Sequence, residues 1–217
     1  MPVEPLLILG SRSPRRLQLL QDLYGCDRVR SVPPANPQEL GFAGLVTDDR
    51  ICSRLLQIVQ QKLEGVRSRL SAGSDSASND VIICADTIIV AGEPDQRVVL
   101  GQPPAKHWQN AVRSWLTNLL SGKTHQVHTA VLVACGQQVQ QQVITTLVTF
   151  HDLSPELIDW YLATAESIGK AGGYAIQGKA AAFVAGVSGS LTCVIGLPLQ
   201  ETSQLIRSVI AAEPGRT

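Results

Sequence analysis

Asp86 stands inside the run VIICADTIIV, residues 81–90, with apolar residues on both sides of Ala85-Asp86-Thr87. An ionised carboxylate there is costly to desolvate unless a cation, a metal or hydrogen-bond donors meet it, so its position argues for work at a strand end. A hard divalent cation or an activated water would satisfy it. The competing reading is a turn aspartate that caps its own backbone. The hexapeptide SRSPRR, residues 11–16, carries the opposite charge. It lies between the apolar LLILG and the periodic RLQLLQDLYG, which places Ser13 at a helix N-cap and Pro14 at the first helical position. The unpaired N–H groups and positive pole of such a helix end attract anions, and Arg15 and Arg16 add donors matched to phosphate oxygens. Together they suggest a polyphosphate. A plain capped helix with solvated arginines would have the same six residues.

A third group begins at Lys170 and continues as AGGYAIQG. Gly172 and Gly173 free the backbone for close approach to a ligand, Lys170 offers a point charge, and Gln177 both donates and accepts hydrogen bonds, as base recognition requires. An ordinary glycine-rich loop with a solvated lysine is the bland alternative. The stretch SGKTH resembles the end of a P-loop, but that spacing needs glycine where Thr117 stands, and the order helix-then-strand is reversed. No G-x-G-x-x-G occurs either, which argues against a dinucleotide fingerprint.

His125 and His128 are three apart on an expected strand, so period two sends them to opposite faces and joint ligation of one metal is not expected. His107 and His151 lack partners. Trp108, Trp115 and Trp160 fall on expected helices and read as core or interface anchors. Asp48 and Asp49 read as solvated turn carboxylates, Asp49 with a place near a site. Five cysteines at 26, 52, 84, 135 and 193 are odd in number and far apart, which suggests reduced, buried thiols and neither a disulfide framework nor a CxxC metal site.

Alternating strands and helices must position these groups. The pattern predicts a strand at LLILG, a helix stopped by Gly25, turns over residues 31–50, and a second helix over ICSRLLQIVQQKLEGVRSRL. A flexible connector, SAGSDSASND, leads to the buried strand or strand pair that holds Asp86. A third helix at WQNAVRSWLTNLL, two strands near 126–135 and 138–149 joined at Gly136, and a helix opened by Ser154 and Pro155 come next. The glycine-rich block, a short strand AAFVAGV and a last helix after Pro198 complete the chain.

The 217 residues, 44% hydrophobic and 17% charged, are enough for a proper core. Eighteen Lys plus Arg balance eighteen Asp plus Glu, so nothing draws the whole molecule to nucleic acid or an anionic membrane, and anion recognition must be local. No stretch approaches the length of a membrane span and the N-terminus lacks a basic leader, so the chain reads as cytoplasmic.

Taken in order, LLILGSRSPRRLQLL, Lys62, VIICADTIIV, SGKTH, GKAGGYAIQG and VIGLPL resemble the Maf family of nucleotide pyrophosphatases, from residue 6 to 199. The resemblance implies one domain over residues 1–217 with an α/β fold of the Maf and inosine triphosphatase type: an elongated mixed sheet flanked by helices, with two lobes and a central cleft. It implies hydrolysis of a nucleoside triphosphate to a monophosphate and pyrophosphate with Mg²⁺ or Mn²⁺. SPRR, ADT and AIQG resemble the branch acting on dTTP and UTP. Carried over, the phosphate-binding residues are Ser13, Arg15 and Arg16, joined by Lys62 and Lys170. Asp86 is the proton acceptor or metal-associated base, Arg15, Thr87 and Gln177 tune base choice, and Glu39 matches the acidic residue after the first helix. The resemblance extends to a homodimer. Gly101-Gln102-Pro103 departs from the family's Gly-Lys-Pro, which removes a charge unless Lys106 or Lys123 substitutes, and Leu191-Thr192-Cys193-Val194 replaces its Ser-Asn-Val. Two other readings stay open: a non-catalytic nucleotide-binding regulator of septum formation, and a different phosphoester hydrolase or nucleotidyl transferase on a related scaffold.

Overall fold

The structure, a computed structural model, describes residues 5–35, 40–72 and 80–212. The chain opens with β1 (Leu7–Leu9), fully buried, and turns at Gly10 into α1 (Pro14–Tyr24). Ser13 caps that helix as expected, its hydroxyl accepting from Arg16 N, and Gly25 ends it at φ 90° with its N–H on Gln21 O. β2 (Val29–Ser31) follows. Residues 40–47 form neither helix nor strand, and α2 (Asp48–Ser71) begins inside the region predicted to be turns. Its buried residues Ile51, Leu55, Ile58, Val59, Leu63, Val66 and Leu70 recur at three- and four-residue intervals, one apolar stripe that must find a sheet. Most of the predicted connector, residues 73–79, lies outside the described residues.

β3 (Val81–Ala91) is a single strand, and every one of its residues is buried except Asp86 and Thr87. Then come β4 (Val98–Leu100) and α3 (Trp108–Ser114), which runs on as a π-helical turn to Leu120. β5 (Thr124–Cys135) and β6 (Gln138–Phe150) form the expected hairpin around Gly136. α4 (Pro155–Ala163) is capped by Ser154. The stretch predicted as a strand at AAFVAGV is divided: residues 179–183 form a 3₁₀ turn and β7 (Val184–Ser188) follows. α5 (Leu191–Ile195) and α6 (Leu199–Ala212) end the described chain.

Seven strands make one mixed sheet in the order β2-β1-β3-β5-β6-β7, with β4 also on β3. β1 is parallel to β2 and β3, and the remaining pairs are antiparallel. β5 covers one edge of β3 without a break from Val81 to Val90. The other edge is shared. β1 takes residues 81–83 and β4 takes residues 89–91, so the sheet has a gap beside residues 84–88. Asp86 and Thr87 sit at that gap.

Strand alternation sends the two side chains to opposite faces. Ile82, Cys84, Ile88 and Val90 pack with the α2 stripe, while Val81, Ile83 and Ala85 pack with Leu20 of α1 and Leu205, Ile206 and Val209 of α6. A third cluster under α3 and α4 centres on Phe150, Tyr161, Tyr174 and Phe183, whose rings meet edge to face. Trp108 and Trp115 pack against it, whereas Trp160 is exposed, on the outer side of α4. Cys84, Cys135 and Cys193 are buried, but Cys26 is exposed and Cys52 half-buried, so the expectation of uniformly buried thiols holds for three of five. No helix among the described residues is long and apolar enough to cross a membrane.

Candidate active site

The gap in the sheet opens into a cleft of about 1300 Å³, roomy by the standard of small-molecule sites. Ser13, Arg15, Arg16, Lys62, Asp86, Thr87 and Lys170 all line it. Groups separated by more than 150 positions in sequence thus share one cavity, the juxtaposition on which the polyphosphate reading depends.

Asp86 and Lys62 form its floor. Lys62, on α2, places Nζ 2.6 Å from Asp86 Oδ1, and the two side chains are 12% and 14% exposed. A lysine at this point of the stripe provides the cation that a carboxylate inside a buried strand requires. The competing turn reading of Asp86 fails, because the residue lies mid-strand.

Arg15 and Arg16 are neighbours with different surroundings. Arg16 turns inward: Nε donates to Gly196 O at 2.7 Å, Nη2 to Thr87 Oγ1 at 2.9 Å and Nη1 to Ser11 Oγ at 3.3 Å. Thr129 Oγ1 donates to Cys193 O at 2.9 Å, so in its 2.9 Å contact with Thr87 it must accept, and the Thr87 hydroxyl donates to it while accepting from Arg16. Arg16 therefore joins α1, β3 and the α5–α6 turn in one polar network. Arg15 is half-buried on the other side of the helix end, and burial pulls its guanidinium pKa down, opposed by the negative charge of Glu166.

Lys170 is also drawn below the usual lysine value, first by burial and then by the positive charge of Arg15. The loop it opens is anchored from three directions. Gly172 N donates to Gly101 O at 2.9 Å, Tyr161 Oη donates to Gly173 O at 3.1 Å, and Tyr174 Oη is 2.8 Å from His125 Nε2. Gly172 and Gly173 have φ of 64° and 71°, and a Cβ on either would strike Ile89 or Val112. Both glycines are required by conformation and by space.

Three sequence expectations fall elsewhere. Gln177 is exposed and does not line the cleft, although its loop does. Glu39 lies outside the described residues. Gln102 lines the β4 side, while Lys123 is turned to Asn118 O and neither it nor Lys106 lines the cleft. The cation found on that side is Arg97, gripped by Asp48 through Nε–Oδ1 at 3.1 Å and Nη2–Oδ2 at 3.2 Å. Asp48 is accordingly the first residue of α2 and an ion-pair partner, in place of a solvated turn residue. Arg97, Ser11, Tyr174 and Glu166 carry no signal of their own in the sequence, since their roles depend on partners far along the chain. His125 and His128 are both buried and on opposite faces; His128 bonds to Thr145 and Gln126.

For a divalent ion, Asp86 is, among the described residues, the one carboxylate that lines the cleft, and no group of three or more described His, Cys, Asp or Glu side chains could hold a metal. That fits the binding mode of Mg²⁺, which takes one or two protein carboxylates and completes its shell with water and substrate phosphate oxygens.

Fold and cleft together define a mixed-sheet α/β protein that gathers several cationic side chains and a carboxylate into one cavity. The chain belongs to the Maf family: the family model for Maf-like proteins matches residues 6–209. It is 33% identical over 202 residues to a dTTP/UTP pyrophosphatase of Albidiferax ferrireducens, covering 93% of this chain and 96% of the relative. It is 38% identical over 202 residues to a dTTP/UTP pyrophosphatase of Ruegeria sp., covering 93% of each. A solved dITP/XTP pyrophosphatase from Mycobacterium abscessus is similar over 66% of this chain and 72% of its own, with a TM-score of 0.37 and 10% identity.

Proposed function

We propose that the protein hydrolyses a nucleoside triphosphate between the α and β phosphates, releasing a nucleoside monophosphate and pyrophosphate, with dTTP and UTP as its substrates. The observation that carries this reading is the meeting of Arg15, Lys62, Lys170 and Asp86 in one cleft of nucleotide size. The substrate choice is supported by the names of the relatives that match over nearly the whole chain.

A triphosphate brings about four negative charges, which attract cations placed where charge develops in the transition state. Arg15, Lys170 and the positive pole at the start of α1 take up the phosphate chain. Arg16 holds Thr87 and the Gly196 turn in place. Asp86 orients a water and accepts its proton as the oxygen attacks phosphorus, while Lys62 keeps the carboxylate aimed from below. A divalent cation, Mg²⁺ or Mn²⁺, bound by Asp86 and the phosphate oxygens would neutralise charge on the substrate. Arg15 and Thr87, which line the cleft, are assigned to base choice, and the protein to the cytoplasm.

The test is a panel of nucleoside triphosphates assayed for pyrophosphate release with each metal, beside Asp86→Asn. The wild type is expected to favour dTTP and UTP, and Asp86→Asn to lose at least about a hundredfold in kcat while still binding nucleotide. Unchanged turnover in Asp86→Asn would remove it from the mechanism. Nucleotide binding without pyrophosphate from any member of the panel would instead identify a sensor.

A further inference from the structure

Glu166 follows α4 and precedes the glycine-rich loop, and it does not line the cleft. Its carboxylate accepts from the backbone N–H of Lys179 at 2.9 Å and Ala180 at 3.4 Å, and Tyr161 Oη lies 3.5 Å away. It thereby fixes the far end of the loop that Lys170 begins. Gly178 leaves just enough room: a Cβ there would stand 2.4 Å from the carboxylate oxygens. The same negative charge acts on both Arg15 and Lys170, two cations that also repel each other. One buried-side carboxylate therefore meets the loop through hydrogen bonds and the two cations through its field.

We propose that Glu166 is a positioning residue with two separable actions: its hydrogen bonds hold the glycine-rich wall of the cleft in shape, and its charge holds Arg15 and Lys170 together until the substrate's phosphates take over. The inference rests on the pyrophosphatase reading, in which these two cations receive the phosphate chain. Removing the charge alone strengthens the pull on a bare polyanion. Removing the hydrogen bonds as well loosens the wall against which a nucleotide must be aligned for attack.

Glu166→Gln keeps an acceptor for Lys179 N–H and loses the charge, Glu166→Ala loses both, and Gly178→Ala pushes an intact carboxylate off its site. Each is compared with wild type in two measurements: inorganic tripolyphosphate binding by calorimetry without divalent cation, and kcat and KM for dTTP. Glu166→Gln and Glu166→Ala are expected to bind tripolyphosphate about threefold more tightly, an effect that added salt erases. Glu166→Ala and Gly178→Ala are expected to lose about tenfold in kcat, most of which Glu166→Gln restores. Unchanged tripolyphosphate affinity in Glu166→Gln, or equal kcat in Glu166→Gln and Glu166→Ala, overturns the proposal. A lower melting temperature in the variants with neither measurement altered overturns it too and leaves a purely structural carboxylate. If wild type neither binds tripolyphosphate nor cleaves dTTP, the pyrophosphatase reading itself has failed and this inference falls with it.

Discussion

Arg15 and Arg16 are chemically identical and adjacent, yet they do different work because the helix turns by about 100° between them. Arg16 uses the planar fork of its guanidinium on Gly196, Thr87 and Ser11 at once, a geometry that a lysine ammonium cannot reproduce. Arg16→Lys is therefore expected to lower kcat about tenfold or more, with a smaller change in KM, and to lower the melting temperature by several degrees; steady-state kinetics and a thermal scan check both. A large rise in KM with kcat preserved would place Arg16 on the substrate. The sequence announces that arginines at a capped helix start want an anion, but not which of the two is already engaged by carbonyl and hydroxyl oxygens, because those partners lie 71 and 180 positions away. Asp86 is legible for the reverse reason: a charge inside an apolar run is anomalous wherever its partner comes from.

The glycine-rich loop makes its contribution through backbone shape. Gly173 combines φ of 71° with the Val112 side chain 2.8 Å from where a Cβ would be, so Gly173→Ala has to strain the backbone and displace Val112, a buried residue of α3. A loss of about 2 kcal/mol is expected in denaturant unfolding, together with weaker nucleotide binding, since Lys170 and Tyr174 flank the site of damage. Long elements with a sustained period, α1, α2, β3, β5, β6 and α6, are visible in the sequence because each repeats its pattern several times. β2, β4 and α5 are not, being three to five residues long and defined by the edge or turn they join rather than by a period of their own. The gap beside residues 84–88 arises because β1 leaves β3 after residue 83 and the short β4 joins it only at residue 89, which is why the sequence shows Asp86 to be unusual without showing that a cleft opens next to it.

The molecule as a whole carries no net charge, so its attraction for a polyanion is confined to the cleft and is not a property of the surface. Its response to acid is set elsewhere. His125 is enclosed by Phe150 and Tyr174, its Nδ1 has no hydrogen-bond partner among the described residues, and burial lowers its pKa to about 4; His128 is shifted in the same direction, also by burial. The unfolded chain binds these protons near pH 6.5 and the folded chain resists them, so stability is complete above that value and falls as the pH drops towards 4. Up to about 3 kcal/mol from His125 is expected to disappear over this interval. Melting temperatures measured from pH 7 to pH 4 check this, with His125→Phe flattening the acid limb; an unchanged slope in that variant would assign the effect to other groups.

The contact from Arg16 to the Gly196 carbonyl spans 180 positions. On a ribosome, the first helix is made early, but the carbonyl that receives its guanidinium emerges only after every other described strand of the sheet. A nascent chain can offer that arginine the hydroxyls of Ser11 and Thr87 early, but the carbonyl for its Nε arrives only with the late turn, so the pocket takes its final shape near the end of synthesis.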